Sequence, residues 1–93
     1  LAGRVTCLEA AGFDHPDLSA AAPFDLVFAN ILKGPLIDLA PSMAANLSAG
    51  GYAILSGILN EQADDVIAVY ARNGINPTHR EEIGEWTTLT LNK

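Results

Sequence analysis

Asn30 is the residue whose setting most invites chemistry. It closes the run Asp25-Leu26-Val27-Phe28-Ala29-Asn30 and is followed by Ile31-Leu32. The stretch from Leu26 to Ala29 is continuously apolar and reads as a central parallel strand covered on both faces. In open α/β sheets, ligands bind at the carboxyl ends of such strands. A carboxamide placed there offers both a donor and an acceptor to a bound molecule. The same residue type also caps turns, and spacing alone does not decide between the two roles. Little else in the chain has a chemical pattern. His15 falls in a loop and His79 in an edge strand, and no spacing suggests a Ser/His/Asp triad. Cys7 is the single cysteine, so neither a metal-ligand cluster nor an intrachain disulfide is expected; it reads as a small core residue. The chain contains no P-loop, nucleophile elbow, zinc-binding helix motif or cysteine pair.

The elements that must position Asn30 follow from periodicity. Val5–Leu8 is β-branched and apolar and reads as a short buried strand. Glu9 to Pro23 is loop-like, with one helical turn expected over Asp17–Ala21. Phe24–Ala29 is the clearest strand. From Pro35 to Leu47, the residues Leu36, Leu39, Ala40, Met43 and Leu47 share one helical face. Pro35 suits a first turn, but Pro41 does not suit a helix interior. A kink, or two short helices with the second starting at Pro41, is expected. Ser48-Ala49-Gly50-Gly51 reads as the helix stop, not as a phosphate cradle. Tyr52–Ser56 reads as a second buried strand and Gly57-Ile58-Leu59 as a loop. Asn60 is a candidate N-cap for an amphipathic helix over Glu61–Asn73, with Ala63, Val66, Ile67 and Tyr70 as its apolar stripe and Gly74 closing it. Ile75–Glu82 contains Pro77 and is therefore an edge strand. It turns at Ile83-Gly84-Glu85 into the alternating strand Trp86–Leu91. The order β, loop, β, α, β, α, β, β defines an α/β domain: a mostly parallel sheet ending in an antiparallel hairpin.

Composition narrows the function classes. The chain has 93 residues, 49% of them apolar, with five Lys and Arg against eleven Asp and Glu and a net charge of −6. This is too acidic for general nucleic-acid binding and too apolar for disorder. No apolar run reaches the roughly 18 residues of a membrane span. A cytoplasmic location is expected. The chain opens on Leu1 rather than Met, which suggests a cut-out piece of a longer protein or a processed chain.

Several motifs taken together resemble S-adenosylmethionine-dependent methyltransferases. They are Phe24-Asp25-Leu26-Val27-Phe28-Ala29-Asn30-Ile31-Leu32, Gly34-Pro35-Leu36, Leu39-Ala40-Pro41 and the Leu47-Ser48-Ala49-Gly50-Gly51 turn. Ile54-Leu55-Ser56-Gly57-Ile58-Leu59, Gln62-Ala63 and Gly84-Glu85-Trp86 narrow the resemblance to the ribosomal protein L-eleven methyltransferases, and Ala10-Ala11-Gly12-Phe13 is similar to one branch of them. The likeness runs from Arg4 to Lys93.

The resemblance implies a Rossmann-like sheet ordered 3-2-1-4-5-7-6, of which this chain holds strands three to seven. It implies S-adenosylmethionine as cofactor, with Asn30 holding it near the transferred methyl and the backbone of Ala10 and Ala11 lining the adenine pocket. The Gly57-Ile58-Leu59 turn and Trp86 would lie near the rim. The substrate implied is the large-subunit ribosomal protein, methylated on lysine and N-terminal amines; neither direct nucleic-acid binding nor membrane association is implied. The Gly-rich cofactor loop, the ribose-binding acid and the substrate-gripping domain would precede Leu1, so the 93 residues alone are expected to be inactive. A related methyltransferase with another amine or amide substrate, and a non-catalytic fragment acting through its sheet edge, are the other readings. Without strands one and two, Phe24–Ala29 would have an unpaired edge. Such edges recruit partners, so either a homodimer across it or capture of Val5–Leu8 is expected.

Overall fold

The computed structural model describes residues 5–8, 23–31 and 33–93. Five strands form one sheet: β1 (Val5–Leu8), β2 (Phe24–Asn30), β3 (Leu47–Leu59), β4 (Asn76–Ile83) and β5 (Trp86–Asn92). Between them lie helices α1 (Lys33–Asp38), α2 (Ala40–Asn46) and α3 (Ala63–Arg72), the last preceded by a 3-10 turn over Asn60–Gln62. The spatial order is β1-β2-β3-β5-β4. β1 and β3 both pair parallel to β2, while β5 runs antiparallel between β3 and β4. Of the two outcomes expected for the β2 edge, capture of Val5–Leu8 is the one observed, with Val5 opposite Leu26 and Leu8 opposite Ala29.

The core lies on one face of this sheet. Val27, Ala29, Ala53, Leu55, Leu89 and Leu91 point into it from the strands. Leu36, Ala40 and Met43 from the first two helices, and Ala63, Val66 and Tyr70 from α3, cover them. The alternate residues look away from the helices. Phe28 is 40% exposed, Tyr52 46% and Val5 47%, and Cys7 is exposed as well. This corrects three expectations. The Leu26–Ala29 run is buried on one face only, Tyr52–Ser56 is likewise half-buried, and Cys7 is not a core residue. The cause is shared: the helices among the described residues pack on the same side, so period-two alternation decides burial even within an apolar run.

Local chemistry explains the element boundaries. Pro41 stands in the first turn of α2, where its missing N–H has no helical partner to lose. The helical pattern therefore splits at Leu39 into two helices, the second starting one residue before Pro41. The Leu39 amide donates to Pro35 O at 3.0 Å and the Met43 amide to Leu39 O at 2.8 Å, which holds the two together. α2 ends at Asn46, and the expected stop at Ser48–Gly51 instead lies inside β3 as an irregularity opposite Phe24–Leu26. Ser48 Oγ donates to Phe24 O at 3.0 Å, and Asn92 Nδ2 reaches Gly50 O and Gly51 O at 3.1 Å each. α3 ends in a Schellman motif. Gly74 has φ +81, the Ile75 amide donates to Tyr70 O and the Gly74 amide to Ala71 O, both at 3.0 Å. β4 is the exposed edge that Pro77 required.

Tyr70 ties α3 to α1. Its ring is fully buried and its hydroxyl donates to Leu36 O at 2.9 Å. That carbonyl is in the last turn of α1, where helical partners run out. Burial pushes the phenol well above its ordinary pKa, which favours the protonated, donating form. Tyr70→Phe should keep the packing and orphan the carbonyl. A loss of about 1–2 kcal/mol is expected, read as a fall of about 4–8 °C or more in the thermal midpoint of the 93-residue chain.

Candidate functional site

Three segments meet at one edge of the sheet. β2 ends there at Asn30, whose Cα partner is Ser56. β3 reaches the same edge through Ser56–Leu59, and β5 starts there, with Trp86 opposite Leu59. A parallel pair brings its carboxyl ends together, which is why the polar end of β2 and the Ser56–Gly57 step share a location.

Gly57 shapes that location. The residues read as a loop, Gly57–Leu59, continue β3 instead. Between Leu55 and Ile58 the strand carries one residue more than β5 does between Leu89 and Thr87. The extra residue is absorbed by a bulge with Gly57 at φ +81. A Cβ built on Gly57 would lie 2.7 Å from Asn30 Oδ1 and 3.7 Å from Ile31 O. The Asn30 carboxamide therefore lies against the bare Cα of the bulge. Asn30 is exposed, and none of the side-chain hydrogen bonds among the described residues uses its carboxamide. A turn-capping bond from Asn30 is thus absent among the described residues, while its donor and acceptor stay open to a ligand.

Where β3 leads into the 3-10 turn is an open depression of about 330 Å³ lined by Leu59, Asn60, Glu61 and Glu85. Asn60 is its structural latch, a role that sequence reading missed by assigning it as an N-cap. No side-chain cap bond forms at that helix start; Gln62 Oε1 instead accepts the Leu59 amide at 3.2 Å. Asn60 directs each of its polar groups to the hairpin, and its carbonyl also accepts from the Ala63 amide. Its amide donates to Glu85 O at 3.0 Å, its Nδ2 to Gly84 O at 2.9 Å, and its Oδ1 accepts from Thr87 Oγ1 at 2.7 Å. Its carbonyl accepts from Arg80 at 3.3 Å. Thr87 is the buried polar residue of the described core, and Asn60 satisfies it. Arg80 also pairs with Asp64 and Glu82 at 2.9 Å each, and the Asp64 hydrogen bond pushes its pKa up. These exposed pairs add little stability; they orient Arg80 toward Asn60. Trp86, half-exposed, is carried on the turn so fixed.

Ala10, Ala11 and His15, and the turn expected at Asp17–Ala21, lie outside the described residues. His79 is on the far edge strand, opposite Thr90. Among the described residues no group of three or more His, Cys, Asp or Glu could hold a metal ion, and no helix is long and apolar enough to cross a membrane. The signal that could have located Gly57 is an isolated glycine within a strand pattern, which marks a bulge or a close backbone approach. Asn60 had no comparable signal, because its hairpin partners are 20 to 27 residues away.

Removing the latch should be measurable. Asn60→Ala leaves the buried Thr87 hydroxyl without its partner, and a loss of about 1–3 kcal/mol is expected in denaturant unfolding. Trp86 is the single tryptophan, so its fluorescence anisotropy should fall as the turn loosens.

Comparison with known proteins places this geometry in a family. A family model described as ribosomal protein L11 methyltransferase matches residues 7–93. A protein of that name from Bradyrhizobium diazoefficiens is 47% identical over 90 residues, covering 97% of this chain and 30% of the relative. One from Chelativorans is 49% identical over 87 residues, covering 90% of this chain and 29% of the relative. The chain thus spans about a third of the length of the curated relatives it matches. The crystal structure of a ribosomal protein L11 methylase from Lactobacillus delbrueckii superposes with a TM-score of 0.70 at 34% identity, over 73% of this chain and 35% of that one. A methyltransferase from Pyrococcus furiosus, 15% identical, shares the fold with a TM-score of 0.61 over 77% of this chain and 42% of that one. With nearly its whole length matched, this chain belongs to the ribosomal protein L11 methyltransferase family.

Proposed function

We propose that these residues form the C-terminal part of the catalytic domain of an S-adenosylmethionine-dependent enzyme that methylates lysine and N-terminal amines of ribosomal protein L11 in the cytoplasm. The observation that carries the reading is the unengaged Asn30 carboxamide at the carboxyl end of β2, held against the Gly57 bulge. On this reading β1 to β5 correspond to strands three to seven of the family sheet. The observed order β1-β2-β3-β5-β4 would then be that sheet with strands one and two left out, and β1 seated where strand one would otherwise pair. The Gly-rich loop, the ribose-binding acid and the substrate-gripping domain would belong to other parts of the protein.

The residues present fit such a cofactor. Asn30 can accept from an ammonium group and donate to a carboxylate or ring oxygen. The bulge leaves no side chain beside it. When bound, S-adenosylmethionine supplies a sulfonium methyl that an amine nitrogen takes by in-line displacement. The chain's contribution is orientation, and positioning alone supplies a large share of the barrier lowering in such a transfer. Asn30 would fix the cofactor near the methyl, the backbone of Ala10 and Ala11 would line the adenine pocket, and the Asn60-latched turn would hold Trp86 at the rim. Glu61 and Glu85 border the depression with the sign of charge that suits an amine-bearing substrate.

Two binding measurements test this. Isothermal titration of the 93-residue chain with S-adenosylmethionine should show negligible affinity, because most of the cofactor contacts lie elsewhere. Micromolar binding would overturn the assignment of the missing parts. In the protein expressed from its complete reading frame, Asn30→Ala should weaken cofactor binding by roughly tenfold. Unchanged affinity would remove Asn30 from the site.

A further inference from the structure

We propose that Gly57 is a positioning residue for the Asn30 carboxamide. Its missing side chain, and not only its backbone conformation, sets where Asn30 can meet the cofactor. The proposal rests on the reading of Asn30 as a cofactor contact.

Four glycines among the described residues have positive φ: Gly50, Gly57, Gly74 and Gly84. At Gly50, Gly74 and Gly84 an added Cβ would meet nothing within 4 Å. Their backbone angles alone account for glycine there. Gly57 is different. It has the same φ as Gly74, +81, and in addition a Cβ would stand 2.7 Å from Asn30 Oδ1. Real Cβ contacts essentially never come that close, so something would have to move. The candidates are unequal. Asn30 Oδ1 is the tip of an exposed side chain that no hydrogen bond among the described residues restrains. The bulge is held on both sides by paired strands, Asn30 opposite Ser56 and Ile58 opposite Thr87. The carboxamide would swing and the strand would stay.

This inequality separates positioning from stability. An alanine at either Gly57 or Gly74 imposes the same left-handed strain. Only at position 57 does it also displace Asn30. Gly57→Ala and Gly74→Ala should therefore lower the thermal midpoint of the 93-residue chain by similar amounts, about 4–8 °C each. Their effects on Asn30 should differ. In nitrogen–proton correlation spectra of the same chain, the Asn30 side-chain amide signals should shift in Gly57→Ala and stay in place in Gly74→Ala.

The functional arm uses the protein expressed from its complete reading frame and S-adenosylmethionine titrated by calorimetry. Gly57→Ala should weaken binding by roughly fivefold or more, with Gly74→Ala unchanged. In an Asn30→Ala background, adding Gly57→Ala should change the affinity no further. A full additional loss in that background would overturn the proposal, since Gly57 would then act independently of Asn30. An unchanged affinity for Gly57→Ala alone, with Asn30→Ala weakened, would overturn it as well and leave Asn30 in the site. An unchanged affinity for Asn30→Ala removes both readings, and only that result does so. Should Gly57→Ala fail to fold while Gly74→Ala folds, the Asn30→Ala, Gly57→Ala double variant should recover the fold. A double variant that also fails would place the fault in the backbone and end the proposal.

Discussion

A slip of one residue between β2 and β3 would turn Val27 and Ala29 away from the helices and drive Phe28 into their place. The parallel register that prevents this, Leu26 opposite Tyr52 through Asn30 opposite Ser56, is the constraint on which the rest of the molecule depends. Register in a sheet is strongly specified wherever one face is buried and the other is not. Here the contrast is sharp. Val27, Ala29, Ala53 and Leu55 are at most 1% exposed, while their neighbours face outward. The same pairing that builds the core brings the polar end of β2 to the Ser56–Gly57 step. Core and candidate site are therefore set by one choice.

The open face is the other consequence of that choice. Val5, Leu26 and Tyr52 form one row across the three parallel strands, and Cys7, Phe28 and Ile54 form the next. Parallel sheets ordinarily have both faces covered. Here the described helices supply one cover only. The sequence of β2 carries the trace of this. Leu26-Val27-Phe28-Ala29 is apolar at every position, as a strand covered on both sides would be, although the structure buries only alternate positions. The one-sided packing also explains why the helices are so interdependent. α1 has six residues and α2 seven, each too short to be stable alone, and both rely on the sheet beneath and on Tyr70 reaching Leu36 O.

How far the sequence could be read follows from the range of the interactions concerned. The strands, the split near Pro41, the edge placement of Pro77 and the Gly74 stop were legible because proline, glycine and periodicity act within a few residues. So was the place of Asn30 at the end of an apolar strand. The burial of Cys7 and Tyr52 was misjudged because it depends on which face the helices take, and periodicity does not say. Gly50-Gly51 was misplaced for a related reason. A glycine pair after a helix has one local meaning as a stop, and here it serves a strand irregularity stitched to Asn92 and Lys93, more than 40 residues on. The expected role of Ala10 and Ala11 rested on family likeness and lies outside the described residues.

On the proposed reading, a chain almost without catalytic motifs can still serve a transfer reaction. Chemistry that depends on proton shuttling needs titratable groups at matched spacing, and those leave a signature in sequence. Chemistry that depends on alignment needs surfaces held at fixed separation, and those are made by register, bulges and latches. On that reading Asn30, Gly57 and Asn60 are of this second kind. Asn30 supplies a donor and an acceptor, Gly57 supplies the space beside them, and Asn60 holds the turn that carries Trp86. None declares such a role by its residue type, because a carboxamide, a missing side chain and a second carboxamide each have common structural uses. Their relation becomes visible only when β2 and β3 end together, since that pairing brings Asn30 within 2.7 Å of where a Gly57 side chain would begin.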